Sequence, residues 1–166
     1  MRLWGGESSL SQYPNVTFVG RRLQHFNFSA ETTLDFNPKS DNEEAGLVIY
    51  RDANHHYKLS VKKENGKREL VLSYNIGKIK AIEKRVPLKS GPVKLVVSGI
   101  QAFFQFGFAQ QDNQITKFDE VDTKYLSFET AGGFTGVNIG LFATGNGVKS
   151  KSAADFDNFM YKANGF

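Results

Sequence analysis

Phe26-Asn27-Phe28-Ser29-Ala30-Glu31-Thr32-Thr33-Leu34-Asp35-Phe36 alternates strictly. The even positions are Phe26, Phe28, Ala30, Thr32, Leu34 and Phe36; the odd positions are Asn27, Ser29, Glu31, Thr33 and Asp35. Successive side chains of an extended chain point to opposite faces. A period of two therefore predicts a long strand with the even residues turned into a core and the odd ones wet.

The same signal extends in both directions. Ala45-Gly46-Leu47-Val48-Ile49-Tyr50 is continuously apolar, which suits a central strand buried on both faces. Tyr57, Leu59 and Val61 alternate with Lys58, Ser60 and Lys62. Asn65-Gly66 then predicts a tight hairpin, because both central residues of that turn need positive φ. The return strand runs from Glu69 to Tyr74, and a weaker one covers Lys78 to Val86. Val93, Leu95 and Val97 mark another strand. Ser98 to Gln101 reads as its turn, and Ala102 to Phe108 as its return. Val137, Ile139 and Leu141 alternate with Asn138 and Gly140, and the last strand spans Ala154 to Tyr161. The best helical candidate, Asp119 to Leu126, is too short to matter. Turn signals about every 8–12 residues suit an all-β fold, and a two-sheet antiparallel β-sandwich of jelly-roll type is expected.

The 166 residues fit a single β-sandwich domain spanning 1–166, with no linker that would divide it. Fifteen phenylalanines and 40% hydrophobic residues argue against disorder. The absence of cysteine excludes disulfides and thiolate metal sites. The net charge of +4 is scattered rather than gathered into a stripe, so no nucleic acid partner is expected. Lys62-Lys63 and Lys67-Arg68 read as a solvated hairpin tip. No run approaches the roughly 20 apolar residues of a membrane span, so no membrane association is expected. Met1-Arg2-Leu3-Trp4 enters Gly5-Gly6-Glu7 without a signal peptide. The sequence leaves a cytoplasmic location, or a periplasmic or secreted one as part of a larger protein, equally open.

No set of residues announces catalysis. Glu120-Val121-Asp122 begins like the alternating carboxylates of a sandwich-fold hydrolase, but the pattern ends in Tyr125. It reads as a polar loop; a small hydrolase using Glu120 and Asp122 is the reading it competes with. His55 and His56 are adjacent and point to opposite faces of a strand, so they do not chelate one ion together, and His25 reads as a hydrogen-bonding residue. Asp155 and Asp157 share one face of the last strand and would repel if bare. Either calcium binds at the sandwich edge, or the pair is solvated or bonded to an arginine such as Arg21 or Arg22. Trp4, Tyr13, Tyr125 and Phe134 are candidates for stacking on a sugar face. Phe134 is set apart by its glycine-rich loop, Gly132-Gly133-Phe134-Thr135-Gly136.

Arg2 to Ser8, Gly20 to Phe26, Asn42 to Leu47, His55-His56-Tyr57, Gly133 to Leu141 and Ala154 to Phe159 follow one another along the chain. Taken in order, these six segments resemble the C-terminal β-sandwich of glycoside hydrolase family 43, the β-xylosidase and α-L-arabinofuranosidase type. Asn158 departs from the family pattern, which places an aromatic residue there. The resemblance implies a concanavalin A-like architecture and no catalytic residue in this chain, because a preceding five-bladed propeller holds the catalytic acids. It also implies that the chain starts at a domain boundary and that Gly133, Phe134 and Thr135 rim the substrate pocket. The function implied is an accessory domain of a hydrolase acting on xylose- or arabinose-containing plant glycans. The alternative is a free-standing carbohydrate-binding module or lectin.

Overall fold

The computed structural model describes residues 1–12 and 15–164. Twelve strands run in chain order: β1 (Arg2–Trp4), β2 (Thr17–Arg22), β3 (Phe28–Asp35), β4 (Glu44–Asp52), β5 (His55–Glu64), β6 (Lys67–Ile76), β7 (Ile79–Pro87), β8 (Val93–Ile100), β9 (Phe103–Ala109), β10 (Thr116–Asp122), β11 (Asn138–Thr144) and β12 (Ala153–Ala163). A 3-10 turn at Thr123–Leu126 and one turn of helix, α1 (Phe128–Ala131), separate β10 from β11. The strands form two six-stranded antiparallel sheets, ordered β1-β12-β3-β8-β9-β10 and β2-β11-β4-β5-β6-β7. The expected sandwich is the observed fold.

Register explains the core. Leu141, Leu47, Leu59 and Leu72 stand side by side across four strands of the second sheet, each at most 2% exposed. Phe28, Leu34, Val93, Leu95 and Phe106 of the first sheet belong to the same buried cluster. Such an interior, dry on both inner faces, is the main source of stability. Thr32 also faces inward, and its hydroxyl donates to the Asp157 carbonyl at 3.0 Å. β4, buried from Glu44 to Arg51, has a second reason to be largely apolar. Its outer residues Val48 and Tyr50 pack with Phe142 beneath Leu10, from the segment that follows β1.

Local readings fail where a strand ends. The Phe28–Asp35 alternation holds, but Phe26 is 83% exposed, because β3 starts only at Phe28, opposite Gly99. β8 continues through Ile100, so the turn lies at Gln101, with φ 50°, rather than at Ser98. The first half of the Asp119–Leu126 segment is strand, and only Thr123–Leu126 is helical. The Asn65-Gly66 turn is as expected, with φ of 51° and 79°. Arg68, expected to be solvated beside it, folds back to donate to the carbonyls of Phe36 (3.0 Å) and Lys89 (2.6 Å). Asn158 sits at φ 51° where the β12–β3 register shifts. Asn tolerates that conformation at a bulge better than an aromatic residue does.

Candidate functional site

The glycine-rich loop after α1 is built on a buried arginine. Arg51, near the end of β4, has its side chain 5% exposed. Its Nη1 donates to the Leu126 carbonyl at 2.9 Å, and its Nη2 to the carbonyls of Gly132 (2.5 Å) and Gly133 (2.9 Å). A guanidinium is a planar fork of donors, so one side chain fixes both the 3-10 turn and the end of α1. α1 stops because Gly132 and Gly133 take φ of 68° and 67°, where a Cβ would be strained. The Gly132 amide still closes the helix by donating to the Phe128 carbonyl at 2.9 Å. On the far side, Gly136 lies against the Arg22 guanidinium, and the Leu23 amide donates to the Val137 carbonyl at 2.9 Å. Both ends of the loop are therefore fixed.

From this base Phe134 projects outward, 96% exposed. Its ring is 5.5 Å from that of Phe128, which is itself 53% exposed. Gly133 and Thr135 flank it and are exposed too. Nothing about Phe134 caps the core. An exposed aromatic on a clamped backbone can exclude water and offer a flat apolar face, but it cannot transfer a proton or attack a bond. Sequence reading picked out the loop and missed Arg51. The available signal was a cation closing the apolar Ala45–Tyr50 run, since a strand buried on both faces ends in a charge only where that charge finds partners.

The other candidates lie apart from this loop. Asp155 faces Arg2 across the β1–β12 ladder, and the guanidinium meets both carboxylate oxygens at 2.7 and 2.8 Å. The Arg2 hydrogen bonds, together with its charge, hold the Asp155 carboxyl below its ordinary range. Arg2, not Arg21 or Arg22, is thus the arginine partner. Asp157 accepts from the Asn158 amide at 2.9 Å. Among the described residues no three His, Asp or Glu side chains are grouped to hold a metal. Glu120 and Asp122 belong to β10 rather than to a loop. With Tyr125, Tyr57 and Tyr74 they line a cleft of about 300 Å³ between the free edges of the two sheets. Asp122 is paired with Lys124 at 2.9 Å. Trp4 is 55% exposed on β1, and Tyr13 lies outside the described residues. His25 Nδ1 is 3.1 Å from the Tyr161 hydroxyl, and His55 Nδ1 is 3.1 Å from Asp52. His56 is buried, and burial lowers its pKa to about 4, so it is neutral at pH 7.

Residues 1–162 match the family model described as the beta xylosidase C-terminal Concanavalin A-like domain. The chain is 33% identical over 165 residues to the non-reducing end alpha-L-arabinofuranosidase BoGH43B of Bacteroides ovatus, covering 98% of this chain and 31% of that protein. It is 27% identical to a xylosidase/arabinosidase of Butyrivibrio fibrisolvens, over 87% of this chain and 28% of that one. Among solved structures, the Bacteroides ovatus xyloglucan GH43B superposes with a TM-score of 0.93 at 32% identity, over 98% of this chain and 32% of that one. The xylan beta-1,4-xylosidase of Bacillus halodurans C-125 superposes with a TM-score of 0.89 at 29% identity, over 97% and 32%. The chain thus spans about a third of the length of the relatives it matches. No helix among the described residues is long and apolar enough to cross a membrane. A match over nearly the whole chain, together with the two superposed sheets, places this protein in the family of beta-xylosidase C-terminal concanavalin A-like domains of glycoside hydrolase family 43.

Proposed function

We infer that this chain works with a catalytic five-bladed propeller domain in a glycoside hydrolase acting on xylose- or arabinose-containing plant glycans, and that Phe134 forms one wall of its sugar pocket. The observation that carries this reading is a contrast. Phe134 is almost fully exposed, yet its backbone is clamped by Arg51 through the carbonyls of Gly132 and Gly133. A solvated loop tip needs no buried guanidinium beneath it, whereas an aromatic wall must be held in place before the sugar arrives. The relatives' names, an arabinofuranosidase and xylosidases, supply the substrate class.

In this reading Phe134, flanked by Gly133 and Thr135, is a positioning residue. It shields the pocket from water and limits the poses of the terminal sugar, while the acids that break the glycosidic bond belong to the propeller. Phe134→Ala in the complete enzyme should lower kcat/KM on aryl xylosides or arabinosides by roughly tenfold or more. Its melting temperature should stay unchanged. An unchanged kcat/KM would remove Phe134 from the pocket.

A further inference from the structure

The outer face of the second sheet carries a trough of about 390 Å³, remote in sequence from the Phe134 loop. Register builds it. Lys58, Ser73 and Ile82 form one row across β5, β6 and β7, and His56, Asn75 and Lys80 form the next. The segment after β1 bounds it, where the Asn75 side-chain amide donates to the Ser11 hydroxyl at 2.7 Å.

Three features separate this trough from a plain wet sheet face. Ser73 is 8% exposed, lines the trough, and its Oγ has no hydrogen-bond partner among the described residues. An orphaned buried hydroxyl is destabilising and is normally satisfied by something. Secondly, the charges are unbalanced. The lining holds three ammonium groups, Lys58, Lys62 and Lys80, against the single carboxylate of Glu44. Glu44 is already neutralised by Lys58 at 2.7 Å and bonded by the Ser60 hydroxyl at 2.5 Å, so its partners are used up. Among the described residues neither Lys62 nor Lys80 forms a salt bridge; Lys62 acts on Glu44 and Glu64 only through its charge. Thirdly, the half-exposed Ile82, above the buried Val71, gives the same trough an apolar strip.

A ligand that answers all three features carries a negative charge for Lys62 and Lys80, hydroxyls for Ser73 and Asn75, and an apolar ring face for Ile82. Inorganic anions lack the ring face and neutral sugars lack the charge. We propose that this trough binds a carboxylated sugar, a uronic acid unit of a glycan chain. The site is independent of the Phe134 loop, and either reading stands if the other fails.

The test is calorimetric titration of this chain at low ionic strength with three probes: a xylose oligosaccharide bearing a glucuronic acid branch, its unbranched neutral counterpart, and inorganic phosphate. The acidic oligosaccharide should bind at least tenfold more tightly than either of the others, and added salt should weaken it. Lys80→Ala should weaken it at least fivefold without lowering the melting temperature. Ser73→Ala should weaken it several-fold while the melting temperature holds or rises, because the orphaned hydroxyl is gone. A serine with only a structural role would give the opposite pair of results. Equal binding of the neutral oligosaccharide, equal binding of phosphate, no binding at all, or a Ser73→Ala protein that melts earlier with binding intact would each overturn the proposal.

Discussion

Arg51 Nη2 donates to the carbonyl of Gly133 at 2.9 Å across 82 residues of sequence. This contact, with its companions to Leu126 and Gly132, sets the position of the aromatic that follows. Arg51→Met should destabilise the chain by roughly 2–4 kcal/mol, since three carbonyls lose a buried, charged donor. Arg51→Lys should recover only part of the loss, because an ammonium cannot reproduce the fork. Denaturant melts give the energies. Faster hydrogen exchange at the Gly132 amide in Arg51→Lys would show that the loop has loosened; unchanged exchange would show that the clamp is not what holds it.

Two phenylalanines should respond in opposite ways. Phe28 is fully buried, and Phe28→Ala should cost about 3–5 kcal/mol. Phe134 is almost fully exposed, and Phe134→Ala should change stability by less than about 0.5 kcal/mol. Urea melts of both variants check this, and a large loss from Phe134→Ala would contradict the observed exposure.

Glu43 ties two loops together from a nearly inaccessible position. Its oxygens accept from the amides of Lys39, Lys151 and Ser152 and from the hydroxyls of Ser150 and Ser152. Burial alone would raise its pKa, but these donors outweigh it and lower the pKa from 4.5 to about 2. The folded value lies below the unfolded one. The stabilisation is therefore complete above about pH 5 and is lost as the pH falls from 4.5 towards 2. Glu43→Gln should flatten the acid limb of the stability curve in that window and cost upwards of about 2 kcal/mol at pH 7, because amide donors lose their acceptor. An unaltered acid limb would mean that other carboxylates set it.

At the sandwich edge, Arg2 occupies both oxygens of Asp155, which leaves Asp157 without a second free carboxylate. Melting curves recorded with calcium and with a chelator should superimpose. A calcium-dependent rise that Asp157→Asn removes would instead establish a cation site there.

The sequence by itself determined what depends on neighbours along the chain. Alternation from Phe28 to Phe36 set one inner face, the unbroken run of Ala45 to Tyr50 marked a strand covered on both sides, and Asn65-Gly66 marked the hairpin between β5 and β6. Each follows from the period of the extended chain or from the φ angles a residue tolerates, and needs no partner to be known. Motifs in order along the chain likewise marked the family and singled out the Phe134 loop. Only the tertiary structure decided what crosses between distant segments. Phe26 continues the alternation but lies beyond the last sheet partner, so pattern alone could not place it in water. Leu10 covers β4, Arg2 rather than Arg21 or Arg22 answers Asp155, and Glu43 joins donors from Ser150, Lys151 and Ser152, more than 100 positions away, to the nearby Lys39 amide. Arg51 is the clearest case. Its value comes from three carbonyls that have no side-chain signature, and backbone groups become partners only when the fold brings them together.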